Sequence, residues 1–204
     1  MNLFYLIKEK NWPFMNIKKN WDKVAKNYAK LINNTNNSTW HNCLIPTVLD
    51  FISSKKKKNL RVLDVCCGEG YLTNLINKCG HDVVGIDISD QLIDLAKRQY
   101  KQITFLKSNA TMFSKLIEGK FDLIVSNFGF HAMNDHDLEF FLEESKKKLQ
   151  NGGLLVFSIS HPCFYNKSSL NYFEKSAKDI FIKNYGYNQK FYKQIGKDVK
   201  VIHF

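Results

Sequence analysis

The stretch that decides the fold is Val62-Leu-Asp-Val-Cys-Cys-Gly-Glu-Gly70, in which an apolar run leads into a glycine-containing loop. The run begins at Leu60, and its length and β-branched residues are typical of a strand buried in a parallel sheet. Gly68 and Gly70 let the backbone pass close beneath a ligand and direct the start of a helix toward it. This order predicts the first βα unit of an open α/β sheet.

Four more predicted strands follow, at 83–86, 103–106, 121–126 and 154–159, with helices between them. Ser89 is placed to cap the helix after the second strand. A long helix begins near Asp135, and Asn151-Gly-Gly153 is a predicted stop after it. The spacing predicts an α/β fold with a doubly wound, Rossmann-like parallel sheet and helices on both faces.

Composition and pattern divide the chain into three regions. Residues 1–58 are predicted to form an N-terminal helical extension, with an amphipathic helix at 21–31 that contributes to a lid over the ligand. Residues 59–160 form the predicted Rossmann-like core. Residues 161–204 are aromatic and rich in lysine, and we interpret them as a lid or an incomplete C-terminal part.

Charge narrows the choice of partner. The 204 residues include 30 Lys and Arg against 19 Asp and Glu, a formal charge of +11 that is concentrated in the two flanks. A basic surface can attract nucleic acid. However, Arg61 and Arg98 are the only arginines in the sequence, and the arginine fork is the main reader of bases. Composition therefore leaves nucleic acid as an alternative partner without favouring it.

Cysteine spacing and hydropathy exclude further classes. The five cysteines form no Cys-x-x-Cys pair and have no histidine at ligand spacing, so we expect neither a metal site nor a disulfide framework. No apolar run approaches the about 20 residues that span a bilayer, and residues 1–7 are too short for a secretory signal. We expect a cytoplasmic protein without a membrane contact, whose oligomeric state the sequence leaves open.

Two acidic residues lie where a ligand would be held. Asp64 precedes the glycine loop, and Asp87 ends the second strand, where a carboxylate can accept both hydroxyls of a ribose. The dinucleotide fingerprint requires a third glycine at the position of Thr73. Asp64 also suits a cofactor that has an ammonium group and no pyrophosphate. These two departures favour S-adenosylmethionine over NAD.

The order and spacing of several motifs between residues 21 and 164 resemble those of class I S-adenosylmethionine-dependent methyltransferases. These motifs are Trp21-Asp-Lys-Val-Ala-Lys-Asn-Tyr28, Val62 to Gly70, Gly85-Ile-Asp-Ile-Ser89, Asn109-Ala110, Phe121-Asp-Leu-Ile-Val-Ser-Asn127 and Leu149-Gln-Asn-Gly-Gly153. Phe157-Ser-Ile-Ser-His-Pro-Cys-Phe164 further resembles methyltransferases of small molecules in which His-Pro follows the fifth strand. The resemblance implies methyl transfer to a small-molecule acceptor. An RNA methyltransferase that uses the basic flanks is the alternative.

The resemblance also implies roles for the residues around the loop. Gly68 and Gly70 would surround the methionine part of S-adenosylmethionine, and Asp64 would support both the loop and the ammonium group. Asp87 would hold the ribose.

Five further positions are implied to contact the same cofactor. Ile88 would lie against the adenine face, and Asn109 and Ala110 would meet the adenine edge. The backbone carbonyl of Asn127 would face the methionine ammonium. Tyr28 would close over the cofactor from the N-terminal helix.

Two histidines are candidates for catalysis. Transfer of a methyl group from a sulfonium depends mainly on alignment, but a base assists when the acceptor is a hydroxyl or an acidic carbon. His131 follows the fourth strand and His161 the fifth, both on the ligand side of the sheet. The alternative for each is a loop histidine that is hydrogen-bonded to the backbone.

The chain departs from the family pattern at three places. Cys66 stands where many members have the first glycine of the loop, and Asn109 replaces the more usual aspartate. The family also adds a helix and an antiparallel strand pair after the fifth strand, whereas this chain ends at Val201-Ile-His-Phe204. The resemblance therefore predicts a truncated chain with an open sheet edge. A truncated, non-catalytic remnant is a third interpretation.

Overall fold

The computed structural model describes residues 17–33, 40–55, 57–133, 135–158 and 199–202. A six-stranded sheet in the order β3-β2-β1-β4-β5-β6 forms its centre, and all strand pairs are parallel. The strands are β1 (Arg61–Val65), β2 (Asp82–Asp87), β3 (Thr104–Lys107), β4 (Phe121–Asn127), β5 (Leu149–Ser158) and β6 (Val199–Ile202). The Rossmann-like α/β fold predicted from the sequence is therefore confirmed.

Five α-helices connect or flank the strands within the described ranges. They are α1 (Ile17–Asn33), α2 (Ile45–Ser53), α3 (Tyr71–Lys78), α4 (Asp90–Gln99) and α5 (Asp135–Lys148). A π-helical turn, Trp40–Leu44, leads into α2, and 3-10 helices occupy Phe113–Lys115 and Gly129–Ala132. None of the described helices combines the length and apolarity needed to cross a bilayer.

Two apolar cores cover the two faces of the sheet, which explains why the strands read as continuous apolar runs. Val62 of β1 belongs to the core beneath α2, α3 and α4, whereas the adjacent Leu63 belongs to the core beneath α5. On β4, Val125 and Ile124 alternate in the same way. Because successive side chains point to opposite faces, each strand contributes to both cores.

Local signals set several helix ends as the sequence predicts. Ser89 is the N-cap of α4, and its side-chain oxygen accepts a hydrogen bond from the Leu92 N–H at 3.2 Å. Lysines follow one another in the last turn of α5, where they complement the helix dipole.

The predicted start of the fifth strand is wrong. Strand β5 begins at Leu149 instead of 154, and a register shift against β4 lies between Phe121 and Leu123. At Gly153 a Cβ would lie 3.1 Å from the Phe121 carbonyl oxygen, so the backbones approach too closely there for a side chain. The paired glycines therefore form an irregularity within the strand instead of a loop.

The predicted open edge at the fifth strand is also wrong. Strand β6 pairs with β5 in parallel, with Leu155 opposite Val199 and Ser158 opposite Ile202. This pairing occupies hydrogen-bonding groups of the backbone that an open edge would expose. The division into three regions stays a prediction, since residues 1–16 and 159–198 lie outside the described residues.

Candidate functional site

A pocket lies at the carboxyl ends of β1 and β4, where the order of the strands reverses. Open α/β sheets bind ligands in this position. Residues from α1, β1, the β1–α3 loop, α3 and β4 line the pocket: Tyr28, Asp64, Cys66, Cys67, Glu69, Tyr71, Leu72 and Asn127. The sequence singled out Tyr28, Asp64 and Asn127 among them as ligand contacts.

Gly70 gives the loop its shape. Its φ is +84°, a left-handed conformation that side chains disfavour, and it is the N-cap of α3. A Cβ on Gly70 would lie 2.6 Å from Cζ of Phe105, which fills the space beneath the loop. Both the conformation and the close approach therefore require glycine here.

Cys66 also adopts a left-handed conformation, with a φ of +63°. A residue with a Cβ is strained in this conformation, which glycine would adopt more easily. The 3-10 helix after β4 provides room for the thiol, since a Cβ on Gly129 would lie 2.9 Å from Cys66 Sγ. Burial raises the pKa of the thiol above its ordinary range.

Asp64 is 1% exposed and accepts a hydrogen bond from Thr73 Oγ1 at 2.6 Å. Burial raises the pKa of Asp64 to about 7; the bond from Thr73 opposes this rise and the charge of Asp87 adds to it. In the sequence, Thr73 was notable only because the dinucleotide fingerprint would have glycine there. In the structure, it orients the Asp64 carboxylate, which lines the pocket.

Asp87 links β2 to the loop and to α4. Its Oδ2 accepts the Gly68 N–H at 3.0 Å, and its Oδ1 accepts the Ser89 N–H at 2.9 Å. Burial raises its pKa despite these two bonds. Each carboxylate oxygen still has a lone pair to offer, so Asp87 can hold the loop and accept hydroxyl groups of a ligand as well.

Glu69 is a third buried carboxylate, which sequence reasoning missed. It is 2% exposed and lines the pocket. Burial, together with the charges of Asp64 and Asp87, raises its pKa to about 7. Among the described residues, none of the three carboxylates forms an ion pair. The pocket therefore has an excess of negative charge that suits a cationic ligand.

Asn127 ends β4 with a side chain that is 8% exposed. Its Oδ1 accepts a hydrogen bond from Ser158 Oγ, which in turn accepts the Phe128 N–H at 3.2 Å. The amide nitrogen Nδ2 has no partner. Asn127 thus has a buried amide donor that no described group satisfies.

Comparisons with known proteins agree with this geometry. A profile of the methyltransferase domain matches residues 62–153. Over 163 residues the chain is 29% identical to malonyl-(acyl-carrier protein) O-methyltransferase of Acetivibrio thermocellus, covering 78% of this chain and 51% of that protein. A TehB-like S-adenosylmethionine-dependent methyltransferase of Corynebacterium glutamicum superposes with a TM-score of 0.57 at 25% identity, over 66% of this chain and 72% of that one. Residues 62–153 therefore match a methyltransferase domain, and the solved structure that the chain resembles is an S-adenosylmethionine-dependent methyltransferase.

The match to a methyltransferase domain and the S-adenosylmethionine-dependent structure from Corynebacterium glutamicum agree with the cofactor that the sequence predicts. A further relative, the ubiquinone biosynthesis O-methyltransferase of Pelagibacter ubique, is 34% identical over 110 residues, which cover 52% of this chain and 44% of that protein. The chain spans about half the length of these curated relatives. The residues at the pocket fit the cofactor, because carboxylates without a described ion-pair partner suit its sulfonium and its ammonium group.

Helix α1 of the methyltransferase covers the glycine loop. A Cβ on Gly68 would lie 3.4 Å from Cε1 of Tyr28, so the ring lies directly against the loop. Trp21 packs edge-on against Tyr28 with ring centroids 5.3 Å apart. Burial, followed by the charges of Glu69 and Asp87, raises the pKa of Tyr28. Its hydroxyl therefore remains protonated and can donate a hydrogen bond.

Asp22 attaches α1 to the rest of the methyltransferase domain. Its Oδ1 accepts hydrogen bonds from Ser89 Oγ at 2.6 Å and from the Gln91 N–H at 3.1 Å, at the start of α4. Burial acts to raise the pKa of Asp22, but hydrogen bonds from Lys18 and Ser89 prevail and lower it to about 2. Because Ser89 also donates to Asp87, hydrogen bonds run continuously from α1 to the pocket.

Ion pairs reinforce this attachment, which we call the α1 dock (Lys18, Asp22, Ser89, Asp90 and Lys107). Lys18 Nζ lies 2.7 Å from Asp22 Oδ2 and 2.6 Å from Asp90 Oδ2. Lys107, at the end of β3, lies 2.6 Å from the other oxygen of Asp90.

The remaining predicted site residues lie around the same sheet edge or outside the described residues. Ile88 follows Asp87 and is half-buried. Asn109 and Ala110 follow β3, and Asn109 Oδ1 accepts the Thr111 N–H at 3.1 Å. His131 belongs to the 3-10 helix after β4, but its side chain is outside the described part. His161 lies wholly outside it.

Proposed function

We propose that the protein holds S-adenosylmethionine in the strand-end pocket and transfers its methyl group to a small-molecule acceptor. The observation that carries this proposal is the cluster of buried carboxylates, Asp64, Glu69 and Asp87, without a described cation. Keeping acidic groups together in a buried site raises their free energy. A ligand with a sulfonium and an ammonium group would relieve that cost by supplying positive charge.

Each part of the site has a distinct role in this proposal. Asp64 and Glu69 attract the ammonium and the sulfonium, and Asp87 accepts the ribose hydroxyls while it holds Gly68 through the backbone. Gly70 allows the loop to pass beneath the methionine part.

The adenine end would be held by residues that follow β2 and β3. Ile88 offers an apolar surface to the adenine face, and Asn109 and Ala110 offer polar groups to its edge. Tyr28 covers the loop from α1 and excludes water from the pocket.

The bound cofactor supplies an electrophilic methyl group on its sulfonium. The contribution of the protein is to align the acceptor atom and exclude water, which gives large accelerations without a catalytic side chain. His131 and His161 stay predictions as bases for a hydroxyl or acidic carbon. Unchanged turnover of a His161→Ala variant on an identified substrate would remove that residue from the mechanism.

The small-molecule class is supported by the name of the ubiquinone biosynthesis relative and by the His-Pro resemblance after the fifth strand. Nucleic acid as an alternative partner stays a prediction.

Calorimetric titration with S-adenosylhomocysteine tests the cofactor proposal, with NAD as the control ligand. We expect micromolar binding of S-adenosylhomocysteine and no binding of NAD. Binding of NAD instead would overturn the assignment of the loop, and absence of both by a folded protein would favour a non-catalytic remnant.

A second titration tests the role of negative charge. S-adenosylmethionine carries one positive charge more than S-adenosylhomocysteine, so Glu69→Gln should weaken binding of the sulfonium ligand more than binding of its product. Glu139→Gln, on the exposed surface of α5, is the matched control and should change neither affinity. Equal losses for both ligands in Glu69→Gln would contradict an electrostatic role for this residue.

A further inference from the structure

The amino ends of the strands form the edge of the sheet opposite the pocket. Because the strands are parallel, the helices and loops that lead into them all end at this edge. From β3 to β5 the edge spans four strand spacings, or about 19 Å. It is a long surface that methyl transfer in the pocket does not use.

Exposed cations concentrate at this edge. Seven of them define what we call the amino-edge basic surface: Lys58, Lys78, Lys97, Arg98, Lys101, Lys120 and Lys146. None of the seven forms an ion pair within the described part of the chain. The loops and strand starts from β3 to β5 contribute fewer acids, Asp82, Glu118 and Asp122. Two of these acids already contact cations outside the seven, so the surface has an excess of positive charge.

Helix dipoles explain part of this arrangement. Lys78, Lys97 and Lys146 belong to the last turns of α3, α4 and α5, where a positive charge complements the helix dipole. Lys120 donates to the carbonyl oxygen of Lys147 at the end of α5. Three helix ends together carry only about 1.5 negative charges. Seven cations therefore exceed what the dipoles compensate.

The carboxyl edge of the same sheet has the opposite sign. Asp64, Glu69 and Asp87 are buried there and have no ion-pair partner among the residues that the structure describes. An anionic partner is therefore attracted to the amino edge and repelled from the pocket. A polyanion bound at the amino edge is a separate partner and not the methyl acceptor.

The composition of the surface indicates the kind of polyanion. All but one of the seven cations are lysines, which contact phosphates as point charges, whereas base reading depends mainly on arginine forks. A length of about 19 Å corresponds to about five successive phosphates of one strand. Binding at a membrane surface would also bury apolar side chains. The large apolar side chains that the described residues expose, Val24, Met112, Leu116 and Phe140, all lie outside the loops at this edge.

We infer that the amino-edge basic surface binds the phosphate backbone of a nucleic acid strand without reading its sequence. All of the seven cations except Lys58 belong to the Rossmann-like core, so the surface is distinct from the basic flanks of the sequence. The inference goes beyond the proposed function and does not depend on it. The strand is held on the side of the sheet away from the pocket.

Fluorescence anisotropy with a short labelled oligouridylate tests the inference on the full chain. Five phosphate contacts to a single strand give a slope of about −3.5 in a plot of log affinity against log salt. The affinity should therefore fall about a hundredfold between 50 mM and 200 mM salt. An oligothymidylate of the same length should bind with similar affinity, because the two strands share their phosphates.

A charge-reversal variant locates the contacts. Lys58→Glu, Lys101→Glu and Lys146→Glu together alter exposed positions before β1, β3 and β5. This edge variant should bind oligouridylate at least about tenfold more weakly, and its salt slope should be smaller in magnitude by about two, for three lost contacts.

The matched control changes the net charge equally at the other side of the sheet. Lys23→Glu, Lys26→Glu and Lys30→Glu alter exposed positions of α1. The control variant should keep the salt slope of the unaltered protein and lose much less affinity. Both variants should bind S-adenosylhomocysteine as the unaltered protein does, and thermal melting establishes that each is folded.

Four results would overturn the inference. They are no binding of oligouridylate by the unaltered protein at low salt, equal losses in the two variants, no loss in the edge variant, and a strong preference for one base. The third result would assign binding to the basic flanks. Binding to vesicles that contain phosphatidylserine, without binding to oligouridylate, would identify a membrane as the partner and would also contradict the inference.

Discussion

Carboxylates occur in two neighbouring parts of this molecule under opposite conditions. In the pocket, burial raises the pKa of Asp64 and of Glu69 to about 7, and neither has an ion-pair partner among the described residues. In the α1 dock, hydrogen bonds from Lys18 and Ser89 lower the pKa of Asp22 to about 2. Ser89 and Asp87 connect the two regions by hydrogen bonds.

This difference in pKa and in ion pairing distinguishes carboxylates that bind a ligand from a carboxylate that stabilises the fold. The charge of Asp22 is already compensated within the protein, so this residue contributes to attaching α1. The pocket carboxylates have hydrogen bonds but no ion-pair partner among the described residues, which lowers stability in the absence of a ligand and favours a cation when one is present. Sites that bind often have this property, because groups arranged for a ligand are not arranged for stability.

The largest expected effect comes from a variant that disrupts the pocket and leaves the α1 dock intact. Gly70→Ala adds a Cβ 2.6 Å from the Phe105 ring at a φ of +84°. Left-handed strain of about 1–2 kcal/mol and overpacking of about 1–3 kcal/mol should combine to lower the free energy of unfolding, and binding of S-adenosylhomocysteine should be lost. Urea denaturation and calorimetry measure the two quantities.

Gly80→Ala is the matched control for this change. Gly80 has nearly the same φ, +85°, but a Cβ there would meet nothing within 4 Å. It should cost only the conformational part, about 1–2 kcal/mol, and retain ligand binding. Equal destabilisation by the two variants would show that contact with Phe105 is unimportant.

The next largest expected effect is a change in the free energy of unfolding with pH, which distinguishes the pocket from the α1 dock. Asp64 and Glu69 have ordinary pKa values of 3.8 and 4.5 but values of about 7 in the folded protein. Between these limits the folded state binds protons that the unfolded state has released. The free energy of unfolding should therefore rise as pH falls from 7 toward 4, by up to about 1.4 kcal/mol per pH unit for each proton.

Ligand binding should change in the opposite direction over the same range. A cationic ligand prefers ionised carboxylates, so the affinity for S-adenosylmethionine should fall as pH decreases below 7. Asp64→Asn should flatten the stability profile between pH 4 and 7. Asp22, with its lowered pKa, stabilises the folded state above pH 3.8, and that contribution is lost as pH falls through about 2. An Asp64→Asn profile parallel to that of the unaltered protein would contradict this prediction.

The smallest expected effect comes from a variant that disrupts the α1 dock. Asp22→Ala removes the acceptor for Ser89 Oγ and the Gln91 N–H. By analogy with the loss of a helix-capping side chain, we expect a cost of about 0.5–2 kcal/mol. Amide hydrogen exchange should accelerate in 17–33 and stay unchanged in β1 and β4, and the affinity for S-adenosylhomocysteine should fall only a few fold because Tyr28 is held less firmly.

Lys26→Ala, at an exposed position of the same helix, is the control and should leave exchange in 17–33 unchanged. High salt should partly reproduce the Asp22→Ala result in the unaltered protein, since exposed ion pairs are screened. If Asp22→Ala leaves exchange of α1 unaltered, the apolar contacts of α1, and not the dock, attach it.

The location of the pocket could be predicted from the sequence, but its inner contacts could not. Asp64, Asp87 and Asn127 lie at or next to the carboxyl ends of neighbouring strands, and parallel strands bring these ends to one edge. Thr73 and Glu69 gave no usable signal: a threonine in place of glycine and an acid between two glycines have many explanations. The roles of His131 and His161 stay predictions.

By itself, the sequence determined the order of strands and helices, the Ser89 cap and the resemblance to methyltransferases, because these depend on local periodicity and on motifs in a fixed order. Only the tertiary structure decided which distant groups meet. Asp22 and Ser89 are 67 positions apart, and Cys66 and Gly129 lie on different strand ends. The same structure decided the start of β5 and the pairing of β6. The physical reason is that contacts between remote segments depend on packing, which residue patterns within one segment do not encode.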